Sequence, residues 1–384
     1  MRQIKYIAVI FGMMLLAACI KQYDPVIDAN TASKLVVSGR ITDTEGWQDV
    51  YVSLTTPVGD PAYIPLQNCI VNIRDDKGNI FPTMEFDPGR YRAWITQDNL
   101  VAGTSYHVIV VTPDREIIVS APDQMSKCPP VDTVYYAVED LPTTTPGLNH
   151  RVVQYYADLN APGDYSRFYK WEVDETWEYH SAHSLEYYYD GFFHTVYPPD
   201  STNKICWITV PVNNVFTVST KNLAANKYSK YPLHYVDGKS NRLLILYSLL
   251  LHQYALSEGA YNYWEQLRIN SNDQGGLYEK QPIAIKGNLS SVTNPGKEVL
   301  GYFYAASTTS HRYFYHNIPD LDITANNGCQ EDVLGRFGWS EFAADDYPVF
   351  FYYNETGALR ILSAECIDCR KMGGTTTKPD FWPN

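Results

Sequence analysis

The residues with the most pointed chemistry stand near the start of the chain. Leu16-Ala17-Ala18-Cys19 places small side chains before a cysteine. This is the lipobox pattern, in which a peptidase cuts ahead of a thiol that carries diacylglycerol. Arg2 and Lys5 precede an apolar run from Tyr6 to Leu16. That run is too short for a spanning helix, which needs about 20 apolar residues. Residues 1–18 are therefore expected to be a lipoprotein signal peptide, and 19–33 a polar tether behind a lipidated Cys19. Leu243 to Leu251 is the longest later apolar stretch and is also too short to span. The acyl lipid is the one attached group the sequence asks for, and no cofactor is expected.

Six further cysteines remain: Cys69, Cys128, Cys206, Cys329, Cys366 and Cys369. An even number in an oxidising compartment points to disulfides. Position along the chain lets Cys69 pair with Cys128 and leaves the other four to pair among themselves. Cys366-Ile367-Asp368-Cys369 has redox or zinc spacing, but it lacks both a thioredoxin-like context and a second ligand pair. Glu178, His180, His183 and His194 offer metal-binding side chains with no fixed geometry, so no metal site is expected. No G-x-S-x-G elbow, P-loop, H-E-x-x-H or G-x-G-x-x-G is present. No carboxylate pair is singled out, and the expectation is a protein that is not an enzyme.

Binding has a better candidate. Trp177, Tyr179, Tyr187, Tyr188, Tyr189, Phe192, Phe193 and Tyr197 crowd into 21 residues. Clustered aromatics, if exposed, mark a contact surface for protein or sugar. Tyrosine is abundant throughout, 32 of 384 residues, which suits strands and interfaces alike. Loss of Arg2 and Lys5 leaves 28 basic against 43 acidic side chains, a balance that repels nucleic acid.

These side chains need a scaffold, and the patterning is mainly β. Lys34 to Thr42 is rich in β-branched residues, and Val50, Val52 and Leu54 alternate with polar neighbours. With Ile70–Ile73, Arg90–Trp94, Thr104–Val111 and Glu116–Ser120 they predict a small Ig-like or carboxypeptidase-regulatory-like β-sandwich over 34–122. Cys128-Pro129-Pro130 lies in an expected linker. A larger β-rich domain with one or a few helices is expected over 131–384. Its clearest helix begins at a Ser257 N-cap and buries Ala260, Tyr263, Trp264 and Leu267 on one face. Strands resume around 282–286 and 298–306.

The lipobox, Leu35-Val36-Val37-Ser38-Gly39, Tyr263-Trp264, Gly287-Asn288, Val299-Leu300-Gly301-Tyr302-Phe303, and the closing Cys366-x-x-Cys369…Gly373-Gly374…Lys378-Pro379-Asp380-Phe381-Trp382 resemble a Bacteroidota lipoprotein family. That family is catalogued only as domain of unknown function 4249. The resemblance implies an outer-membrane lipoprotein encoded beside TonB-dependent transporters, and supplies no catalytic residues. Gly39-Arg40-Ile41-Thr42-Asp43 and Gly89-Arg90-Tyr91 also resemble the small sandwich domains fused to such transporters. The aromatic insertion around Tyr187 matches no shared motif. The expected role is a non-enzymatic accessory subunit held by lipid on the outer membrane, at the cell surface or the periplasmic face, and docked on a β-barrel partner. A glycan-binding lipoprotein is the alternative, and an envelope or glycan hydrolase a weaker one.

Overall fold

The computed structural model describes residues 33–56, 62–142, 149–272, 285–321, 323 and 328–383. The lipobox, Cys19 and nearly all of the expected tether lie outside these residues. So does most of the strand expected at 282–286.

The protein is mainly β, as its alternating sequence dictates. A ten-stranded sheet forms its spine. Across it run Ile205–Ser219, Phe168–His180, Tyr247–Ala255, Phe303–Tyr315, Leu35–Thr42, Gly46–Leu54, Arg90–Ile95 and Met84–Asp87, with two short strands pairing at its side. Leu35–Thr42 runs parallel to Phe303–Tyr315, with Gly39 opposite Phe303 and Thr42 opposite Ala306. One sheet thus joins strands from both ends of the chain, across the boundary expected near residue 122.

Alternation then decides what each face meets. Val37, Ile41, Val50, Val52, Tyr91, Ala93 and Phe303 point to one side and are buried. They pack on a second sheet through Val71, Ile73, Tyr106, Val108, Val110 and Ile118. This second sheet runs Leu289–Ser291, Ile117–Ser120, Ser105–Val111, Ile70–Asp75 and Ile80–Pro82. The sandwich expected over 34–122 is therefore completed by residues from 289–306. Farther along the long sheet, Tyr169, Trp171, Val173, Tyr247, Leu249 and Leu251 pack on a three-stranded sheet of Thr133–Pro142, Asn149–Asn160 and Lys227–Asp237.

The expected linker is stapled down. Asp123–Gln124 pairs with the second sheet. Pro129 offers its carbonyl to Gln253 Nε2 and Thr309 Oγ1, each at 2.8 Å. Gln253 in turn accepts from Trp171 Nε1 at 3.0 Å.

The single α-helix among the described residues is Glu258–Asn272. Ser257 Oγ accepts from Ala260 N at 3.1 Å, which satisfies one of the free donors of the first turn. Ala260 is buried against Tyr254, Leu256, Tyr302, Tyr304 and Ala306. Because Phe303 and Ala305 face the sandwich, Tyr302 and Tyr304 must face away, and the helix covers that outer side. No helix among the described residues is long and apolar enough to cross a membrane.

Candidate functional site

The expected aromatic surface is divided by the fold. Trp177 and Tyr179 belong to the long sheet strand Phe168–His180. Tyr179 is buried beside Cys206 and Cys369, and the Arg242 guanidinium lies 4.9 Å from the Trp177 ring centre. Five of the other six belong to a separate five-stranded sheet of Phe193–Asp200, Leu185–Tyr189, Val349–Tyr353, Leu359–Leu362 and Glu331–Val333, and Phe192 lies in the turn between its first two strands. There Tyr187 stacks on Phe351 at 5.4 Å, Tyr188 on His194 at 4.4 Å, and Tyr189 meets Trp339 at 4.8 Å. Phe193 closes on Trp339 at 5.0 Å. Phe192, Phe193, Tyr197 and Phe337 remain 77%, 63%, 92% and 76% exposed. The sequence reading missed Phe337, Trp339 and Phe351, although Phe350-Phe351-Tyr352-Tyr353 is an aromatic run of the same kind.

The three histidines of the candidate metal cluster each take a carboxylate of their own. His180 pairs with Glu178 at 2.6 Å, His194 with Asp190 at 2.8 Å and His183 with Glu331 at 3.2 Å. His183 and Glu331 also approach Cys329, whose sulfur is held in a disulfide.

Four of the six cysteines form Cys206–Cys369 and Cys329–Cys366. Both bonds tie the closing segment down, one to the long sheet and one to the loop before Glu331–Val333. Cys69 and Cys128 are free thiols, which corrects the pairing considered for them. The fold sends them to different places. Cys69 N donates to the Tyr91 hydroxyl at 3.0 Å, while the Cys128 sulfur lies 3.5 Å from Thr309 Oγ1. Burial pushes the Cys128 thiol up to about 11.

A second site was not foreseen. The outer face of the long sheet aligns Arg40, Lys170, Glu172, Tyr254 and Tyr304 beneath the edge of the helix. Glu172 sits at the centre and accepts four hydrogen bonds. Lys170 Nζ lies at 2.7 Å, Arg40 Nη1 at 3.0 and 3.1 Å, and the Tyr254 hydroxyl at 2.9 Å. Burial alone would raise the Glu172 pKa, but Lys170 and Arg40 outweigh it and hold the carboxyl at about 2. Burial pushes the Tyr254 hydroxyl well above its ordinary range. Lys170 Nζ also rests 3.5 Å from the Trp264 ring centre, and Arg40 4.8 Å from that of Tyr254.

Arg40, Lys170 and Glu172 floor a cleft of about 400 Å³ that is lined also by Trp47 and Tyr51 from the strand Gly46–Leu54, by Tyr263 and Trp264 from the helix, and by Tyr302 and Tyr304. A neighbouring hollow of about 430 Å³ shares Arg40, Lys170, Glu172 and Trp264. Trp264, read from its spacing as a core residue, is half-buried at the rim. A carboxylate this firmly ionised is a poor proton donor or acceptor near neutrality.

A mainly β protein with an aromatic-lined cleft and a separate aromatic sheet is what fold and site define. The match to the family model described as "Domain of unknown function (DUF4249)" spans residues 20–312, and the chain belongs to that family. The match takes in every cleft residue and stops ahead of Cys329, Cys366 and Cys369. Among curated proteins none matches. Among solved structures, the chain is similar to trypsin-activated alpha-2-macroglobulin from Escherichia coli at 12% identity. That likeness covers 60% of this chain and 15% of that one at a TM-score of 0.19, and carries no weight for fold or function.

Proposed function

We propose that this protein is a non-enzymatic accessory lipoprotein, anchored by lipid on Cys19 to the outer membrane and docked on an outer-membrane β-barrel of the TonB-dependent transporter type. The observation that carries this reading is the ring cluster of Tyr189, Phe193, Trp339 and Phe351, in which Phe193 stays exposed, with Phe192, Tyr197 and Phe337 exposed along the adjoining chain. Large apolar side chains presented together on a supported sheet favour protein contact. A lipid tether raises the local concentration of such a surface, so that a weak contact suffices.

The test is photo-crosslinking in intact cells from an unnatural residue at Phe192 or Tyr197, followed by purification of the adduct. A β-barrel protein joined from both positions, and lost in F193D, supports docking. Adducts with no barrel protein from either position overturn it. Replacement of Cys19 by Ser should release the chain from the membrane fraction. If the chain stays bound, the lipid anchor is refuted.

A further inference from the structure

We infer that the cleft between the helix and the strand Gly46–Leu54 is a binding site for a neutral oligosaccharide chain. This inference goes beyond the docking surface and uses none of its residues. Three observations converge on it.

The first is wall chemistry. Six of the fourteen lining residues are aromatic: Trp47, Tyr51, Tyr263, Trp264, Tyr302 and Tyr304. Aromatic faces pack against the C–H faces of pyranose rings, while their polar tips reach hydroxyls.

The second is the floor. Arg40, Lys170 and Glu172 are locked together by the bonds given above, and Arg90 and Arg92 both hold Asp49, at 2.8 and 3.1 Å. Of the charged groups that line the cleft, Arg40 and Lys170 are both taken up by Glu172, and Asp49 is taken up by Arg90 and Arg92 from beside it. Fixed donors and acceptors whose charges are already paired suit a polyol, whereas a phosphate or carboxylate ligand would call for a cation free of such a partner. Preorganisation by the aromatic partners lowers the cost of binding.

The third is continuity. Trp47 and Trp94 meet edge to face at 5.4 Å, and both are about half exposed, at 44% and 51%. Arg92 bridges Trp47 to Phe86, 5.3 and 4.0 Å from the two ring centres. The aromatic path therefore leaves the cleft and crosses the open outer face of the sheet, which fits a chain of several sugar rings better than a single one.

Affinity electrophoresis of the full chain in detergent tests this, with amylopectin, xyloglucan, laminarin and yeast mannan as neutral probes and polygalacturonate as the acidic one. At least one neutral glycan should retard the protein, and 0.5 M NaCl should leave the retardation unchanged, because no ion pair with the ligand is involved. W47A alters an exposed side chain and should fold normally, yet weaken binding roughly threefold to tenfold. E172Q should weaken it as well, through loss of the Lys170 and Arg40 anchor, and Y197A on the docking edge should not. No retardation by any neutral glycan, retardation by polygalacturonate alone, or equal binding by W47A and the parent would each overturn the inference. Loss of barrel crosslinks with saccharide binding intact would sink the docking role and leave this site standing.

Discussion

Trp382 donates its indole N–H to Glu178 Oε2 at 3.0 Å, so the end of the chain is pinned to the long sheet. The ring is 5% exposed and lies edge-on to Phe314 at 5.6 Å. Glu178 meanwhile holds His180. Conversion of Trp382 to Ala removes a buried ring and leaves a carboxylate short of a partner. It should cost about 3–5 kcal/mol locally. Hydrogen exchange should quicken in residues 366–383 and in the adjoining strand Phe168–His180, with the sandwich core unchanged. Protection unaltered in both segments would refute the pinning role.

The closing segment is also bound covalently. Cys206–Cys369 closes a separation of 163 residues, and its removal by C206A/C369A should cost roughly 2–5 kcal/mol. Alkylation in denaturant without reductant should label Cys69 and Cys128 and spare Cys206, Cys329, Cys366 and Cys369, as read by peptide mass mapping. In the native protein at neutral pH, Cys128 should react slowly, since burial keeps its thiol protonated. A labelled Cys206 or Cys369 before reduction would contradict the assigned bonds.

Local structure was legible where one physical signal dominates. The β-branched alternation at Val50 and Val52 and the Ser257 cap each carry their meaning within a few residues, whereas the even cysteine number did not show that Cys69 and Cys128 stay free. What joins distant segments was not legible. Nothing in Leu35–Thr42 says that it will run parallel to Phe303–Tyr315, because register depends on the whole core and not on spacing. The cleft suffered for the same reason. Arg40, Lys170, Glu172, Tyr254 and Trp264 come from three strands and a helix, and no spacing connects them. The aromatic run from Trp177 to Tyr197 erred in the other direction, since one stretch of sequence is shared between two sheets after His180.

Gly301 explains one stretch of the family resemblance in physical terms. It adopts φ +96°, and a Cβ there would sit 2.0 Å from the Val37 carbonyl oxygen. Gly287 is equally confined, its Cβ position 1.8 Å from the Gly301 carbonyl oxygen. Neither obstacle is a side chain that can swing away. G301A should therefore cost more than about 3 kcal/mol, or prevent accumulation of folded protein, by disturbing the parallel contact that joins the two ends of the chain. Chemical denaturation of the purified variant, with G78A in an open turn as the comparison, checks this. Equal midpoints for G301A and the parent would show that the backbone can relax there.

Asp123 gives the fold a pH dependence of unusual sign for a carboxylate. It is buried where the second sheet, the helix cap and the long sheet meet, accepting from Ser257 Oγ and, at 2.9 Å, from Ala305 N. Desolvation outweighs those bonds and raises its pKa to about 6 from 3.8. The folded state therefore holds a proton that the unfolded state has released between these two values. Stability from this group is fully present below pH 3.8 and is lost as pH rises through about 6. The total is about 3 kcal/mol at about 1.4 kcal/mol per unit. Other carboxylates contribute equally to parent and variant, so the difference between them isolates Asp123. Urea midpoints at pH 4, 5, 6 and 7 should show the parent losing stability relative to D123N across this window. Parallel curves would mean that Asp123 titrates normally and that the junction is more hydrated than its burial implies.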